Sequence, residues 1–186
     1  LAVPTKILLE SIASYSFASV VDQVSYPVLS KFQSDNVVMR NILQKLILAL
    51  AYVTFPLMLI LILIAEPLIT LLYGVKWLDC VSYFQILCIG GIAICLQGVL
   101  YYAVASKGKS KELFVWTIIK RGVGLIILLV GMYWGNVKGL LWGCSLGSWF
   151  ILLSNAYLVS KYIKYNFFEQ IKDLSQIILV SLIVYI

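Results

Sequence analysis

The chain has 186 residues, of which 62% are hydrophobic, 14 are Lys or Arg, 8 are Asp or Glu and none is His. A soluble domain averages about 45–50% apolar and about 25% charged residues. A mean hydropathy of +1.01 with 12% charged residues therefore excludes a disordered chain, a basic nucleic-acid binder and an ordinary soluble enzyme.

The first segment, Pro4–Phe32, is long enough to cross a bilayer but is dotted with polar residues. At about 100° per residue, Ala13, Phe17, Val20, Val21 and Val24 share one arc. Ser11, Ser14, Tyr15, Ser19, Asp22, Ser25 and Tyr26 share the opposite one. An interfacial helix usually carries Lys or Arg on its polar face. This face carries hydroxyls and one carboxylate, which favours a span lining a water-filled cavity.

Leu46–Ile64 is the cleanest apolar run, about 28 Å long as a helix. Pro56 in its middle predicts a kink, because it removes a backbone donor and crowds the preceding turn. Glu66 and Pro67 end the span, and Leu68–Tyr73 reads as a short helix closed by Gly74. Val81–Ala105 is the next span, followed by the basic loop Ser106–Glu112. Leu113–Trp134 is a third, with Lys120 and Arg121 inside it, and Gly135–Lys138 is a tight turn. Gly139–Lys161 is a fourth, with Gly139, Gly143 and Gly147 at the four-residue spacing that lets helices approach closely. Lys164–Asp173 is polar and is expected to lie along the interface, and 175–186 starts a further, truncated span. The sequence begins at Leu1 and ends in an apolar run, so it reads as a piece of a longer chain.

The expected fold is thus all-α, a polytopic transmembrane bundle with spans near 4–32, 46–64, 81–105, 113–134, 139–161 and 175–186. Its orientation follows from the basic residues. One side collects Lys31, Arg40, Lys45, Lys107, Lys109, Lys111, Lys161, Lys164 and Lys172; the other has Lys6, Lys76 and Lys138. Cytoplasmic loops carry the excess of Lys and Arg, which puts Ser30–Lys45, Ser106–Glu112 and Lys161–Lys172 in the cytoplasm.

No catalytic motif or metal-ligand spacing is present, so neither an enzyme, a metal nor a cofactor is expected. Cys80, Cys88, Cys95 and Cys144 form no C-x-x-C pair and read as small core residues. The informative residues are polar ones at membrane depth. An ionised side chain at the bilayer centre costs about 2.5–3.5 kcal/mol on insertion scales. Lys120 and Arg121 therefore have two readings: cytoplasmic anchors that snorkel, or cations of a central cavity that meet an anionic headgroup. Arg121 suits phosphate better, because its planar fork binds two oxygens. Asp22 fits a salt bridge, a cap or a coupling site. The hydroxyls of Ser11, Ser14 and Ser19 are suited to sugars and equally to neighbouring helices or their own backbone, Tyr15 is a further cavity candidate on the same face, and Gln97 suits a hydrogen bond between helices.

Two stretches carry a family resemblance. ASVVDQVSYPVLSKFQSD (Ala18–Asp35) resembles the helix-ending signature of polysaccharide exporters and oligosaccharide flippases. VTFPLMLILILIAEPLITLLYGVKW (Val53–Trp77) resembles the one that follows it, with Phe55, Pro56, Ala65, Glu66, Pro67, Leu71, Leu72, Gly74 and Trp77 in order. From Val81 on, the likeness is one of rhythm: span, basic loop, span, tight turn, span.

The resemblance is to Wzx-type flippases of the multidrug/oligosaccharidyl-lipid/polysaccharide exporter superfamily. It implies most of the C-terminal lobe of a two-lobed, MATE-like transporter in a bacterial inner membrane. Its partners would be a polyprenyl-diphosphate-linked oligosaccharide, membrane lipids and the N-terminal lobe of the same chain, with no nucleic acid. Lys120, Arg121, Asp22 and the hydroxyl face would line the cavity, and Pro56 would serve gating. A multidrug or metabolite antiporter of the same superfamily is the alternative, although the intramembrane acids on which such pumps rely reduce here to Asp22 and Glu10. A membrane-embedded glycan polymerase or acyltransferase would need a large loop or a catalytic set that the sequence lacks.

Overall fold

The computed structural model describes residues 26–170 and 172–175. The expected first span falls outside them except for its end, where 26–31 are helical.

Helix α1, Asn36–Leu63, starts well before the apolar run at Leu46. Asp35 explains the early start. Its side chain accepts the Val37 and Val38 N–H groups at 2.8 and 3.2 Å, so donors that a helix start leaves unpaired are met. Met39, Leu43, Ile47, Ala51 and Phe55, each four residues from the next, then form one buried stripe. Pro56 lies inside α1 and the helix continues through it to Leu63. The chain breaks at Ile64 and restarts as α2, Ala65–Tyr73, with Pro67 in the first turn, where a missing N–H costs little. Gly74, at φ 82°, closes α2 ahead of a 3-10 turn at Val75–Trp77.

Helix α3, Cys80–Ser106, is the most enclosed span and packs on α1 and on the helices after it. Helical backbone then runs from Ser110 to Ile163, but Asn136 has φ 52° and ψ −136°. That residue divides it into two spans, α4 (Ser110–Tyr133) and α5 (Gly135–Ile163). The resulting hairpin closes on glycines. A Cβ at Gly139 would run into the Gly131 carbonyl oxygen, and one at Gly143 would sit 3.1 Å from the Ile127 carbonyl oxygen. A second close approach joins α3 to α5, where a Cβ on Gly90 would lie 3.1 Å from the Ser145 Cα. All four long helices α1, α3, α4 and α5 are long and apolar enough to cross a membrane, and no strand occurs among the described residues. The protein is an all-α, multi-pass membrane protein.

The segment after α5 is bonded to α1. Residues 167–170 and 172–175 are helical. Arg40 pairs with Glu169 at 2.7 Å and Gln44 donates to Asp173 at 2.8 Å. Both pairs advance one helical turn in the same chain direction, so this segment runs beside the first turns of α1. Tyr165 is fully buried and donates to Asp173 at 2.6 Å. Burial, then the bond to Asp173 and the charges of Asp173 and Glu169, push its phenol above the usual range against the pull of Arg40, so it remains a donor. Gln170, also buried, donates to the carbonyls of Tyr165 and Ala156 at 2.8 and 3.3 Å.

These ends allow a test of orientation. Ser110 begins α4 and Asn136 forms its far turn, so the positive-inside distribution places Ser110 in the cytoplasm and Asn136 outside. All four cysteines are free thiols and must first be replaced. In intact cells an impermeant maleimide should label a cysteine at 136 and spare one at 110. The reverse pattern would invert the topology.

Candidate functional site

The most costly polar group in the bundle is Lys120. It lies roughly 15 Å along α4 from Ser110, near mid-span, and the residue is 4% exposed. Its amine turns into the lobe. The Lys120 Nζ donates to Asn155 Oδ1 of α5 at 2.5 Å and stands 5.9 Å from the centre of the Tyr101 ring of α3. Asn155 Nδ2 in turn donates to the Gln97 backbone carbonyl at 3.1 Å. One amide thus ties three helices together: its oxygen takes the cation of α4 and its nitrogen takes a carbonyl of α3.

No carboxylate faces this amine among the described residues, where the ion pairs are Arg40–Glu169 and Lys109–Glu112. Asn155 and the Tyr101 ring face supply partial negative charge without a full counter-ion. The buried Gln97 Oε1 has no hydrogen-bond partner among the described residues. Other hydroxyls in these spans bond their own backbone, Thr117 to Leu113 and Ser148 to Cys144.

Arg121 is exposed. It shares α4 with the outward-facing Ile118, Ile119, Leu125 and Ile126. The structure therefore separates the two adjacent cations, one inside the lobe and one on its surface. Pro56 follows Phe55, which borders an apolar cavity of about 180 Å3 between α1, α3, α5 and the last helical segment. Ser11, Ser14, Tyr15, Ser19 and Asp22 lie outside the described residues.

Sequence reasoning missed Asn155 and Tyr101. An amide in an apolar span was the available signal for Asn155, as it was for Gln97. Tyr101 had none, since a tyrosine in a membrane span carries no mark of its neighbours.

The polysaccharide biosynthesis protein family matches residues 7–82, across both signature stretches. The chain is 28% identical over 150 residues to the teichuronic acid biosynthesis protein TuaB of Bacillus subtilis, covering 79% of this chain and 30% of that protein. An uncharacterized membrane protein in the cps region of Klebsiella pneumoniae is 28% identical over 120 residues, covering 64% of this chain and 25% of that one. The lipopolysaccharide biosynthesis protein WzxC of Escherichia coli is 22% identical over 139 residues, covering 75% and 27%. The chain thus spans between a quarter and a third of the length of these relatives. No solved structure matches it. Similarity to bacterial polysaccharide-biosynthesis proteins and four helices able to cross a membrane fit a place in the cell (inner) membrane.

Proposed function

We propose that the full-length protein moves a polyprenyl-diphosphate-linked oligosaccharide across the bacterial inner membrane by alternating access between two lobes, this chain forming most of the C-terminal one. The observation that carries the reading is the pair of adjacent cations at membrane depth. Lys120 is held inside the lobe with no acid beside it among the described residues, and Arg121 stands on its surface, open to whatever adjoins α4. Cations at that depth mark substrate or ion pathways, and a diphosphate is the anion such a substrate carries. The match to the polysaccharide biosynthesis family model and the names of the relatives support a role in glycan assembly. Transport suits these residues better than bond-making, which would need a nucleophile or an acid–base pair beside the cations.

In this reading Arg121 contacts the diphosphate in the cavity between lobes. Arg121→Ala in the full-length protein should abolish surface glycan in a complementation assay at matched membrane levels. Arg121→Lys should restore it partly, because lysine keeps the charge and loses the two-pronged contact. A strain lacking the protein should accumulate lipid-linked oligosaccharide on the cytoplasmic face. Wild-type glycan from Arg121→Ala would leave Arg121 a surface anchor. Absence of the lipid-linked intermediate from the deletion strain would remove flipping itself.

A further inference from the structure

At the end of the bundle that the basic residues place in the cytoplasm, the first turns of α1 and the end of α5 border an open pocket of about 210 Å3. It is lined by Asn36, Val37, Arg40, Asn41, Ile163 and Lys164. We propose that this pocket binds the phosphate of an anionic phospholipid headgroup from the cytoplasmic leaflet. The inference does not depend on the transport reading.

Two cations reach the pocket from different helices. Arg40 uses Nη2 on Glu169 at 2.7 Å, which leaves other donors of its five-donor guanidinium for a second acceptor. Lys164 ends α5 in the left-handed region at φ 59°. It makes no hydrogen bond or ion pair among the described residues. Its charge is thus not spent among the described residues, whereas Lys107 is committed to the Gln33 carbonyl and the Asn36 amide oxygen, both at 2.5 Å. That bond leaves the Asn36 amide nitrogen to donate, and Asn41 makes no hydrogen bond among the described residues. The pocket therefore presents donors and positive charge, and among the described residues two carboxylates bond its lining, Glu169 the Arg40 guanidinium and Asp35 the Val37 backbone N–H.

Its size and position select the ligand. The volume is below the about 300 Å3 at which pockets for drug-sized molecules begin, so a small group such as phosphate fits. The pocket's α1 residues precede the apolar run at Leu46, which puts it beyond the hydrocarbon, on the headgroup side. Basic pockets between helices on the cytoplasmic side are where anionic headgroups bind. A soluble phosphate offers the same oxygens but lacks acyl chains to hold it beside the exposed apolar flanks, of which Val37 is 69% exposed.

The test uses the full-length protein purified in detergent, with thermal unfolding followed as lipid is added. Phosphatidylglycerol should raise the midpoint, and phosphatidylcholine or inorganic phosphate should not. Lys164→Asn removes the charge with a residue that tolerates the left-handed backbone. It should weaken half-saturation by phosphatidylglycerol on the order of five-fold, the worth of one basic residue at an anionic surface. Lys138→Gln, at the far turn, should leave it unchanged. If Lys164→Asn fails to insert, Asn41→Asp, which adds a repelling charge, should give the same loss. An equal response of wild type and either pocket variant to phosphatidylglycerol would overturn the site. Equal stabilisation by inorganic phosphate would overturn the lipid as its ligand.

Discussion

Asn155→Leu should lower the unfolding free energy of the purified protein by about 3 kcal/mol, an unusually large loss for one polar group between membrane helices. Hydrogen bonds between such helices average only about 0.6 kcal/mol. A bond to a charged group is worth about 1.5–3 kcal/mol, and stranding its buried partner adds to the loss. Lys120 is 4% exposed and its amine is bonded to Asn155 Oδ1. Leucine would leave that amine facing apolar side chains, and the Gln97 carbonyl would lose its donor. The double variant Lys120→Met/Asn155→Leu removes cation and acceptor together, and should recover to within about 1 kcal/mol of wild type. Unfolding in mixed micelles measures all three. A single-variant loss near 0.6 kcal/mol would mean that the pair behaves as an ordinary neutral bond.

The second large effect concerns the α4–α5 hairpin. Gly139→Ala should cost about 3 kcal/mol, the top of the usual range for overpacking, because the added methyl meets backbone and not a side chain that can turn aside. The Gly131 carbonyl occupies its place, and a Cβ on Gly131 would meet Gly139 in the same way. Gly122 on α4 is the control. A Cβ there meets nothing within 4 Å, so Gly122→Ala should be neutral or stabilising by up to about 1 kcal/mol through helix propensity. Equal yields of inserted, monodisperse protein from both variants would show that the hairpin opens without penalty.

Those glycines show how far linear pattern reaches. Gly139, Gly143 and Gly147 were visible as a face for close approach, since one helix turn sets that spacing. Two of the three meet backbone of α4, Gly139 at Gly131 and Gly143 at Ile127 and Leu128, whereas a Cβ on Gly147 would touch nothing within 4 Å. Spacing names a face; the partner depends on where the Asn136 turn sets the register. The polar run at 164–173 was legible as polar but not as bonded. Arg40 and Gln44, like Glu169 and Asp173, stand four residues apart, and the match appears only once both helices are placed side by side.

By itself the sequence determined the membrane class, the apolar runs, the turn at 135–138 and the family likeness, because these rest on composition, on run length against bilayer thickness and on local motifs. The fate of the two central cations was left to tertiary structure. Adjacent helical residues point about 100° apart, so a sequence can say that Lys120 and Arg121 diverge but not which of them turns inward. Packing of α4 against α3 and α5 decides it. The inward position falls where Asn155 offers an oxygen, and there a buried amine is tolerated; Arg121 is carried to the surface by the same turn of the helix.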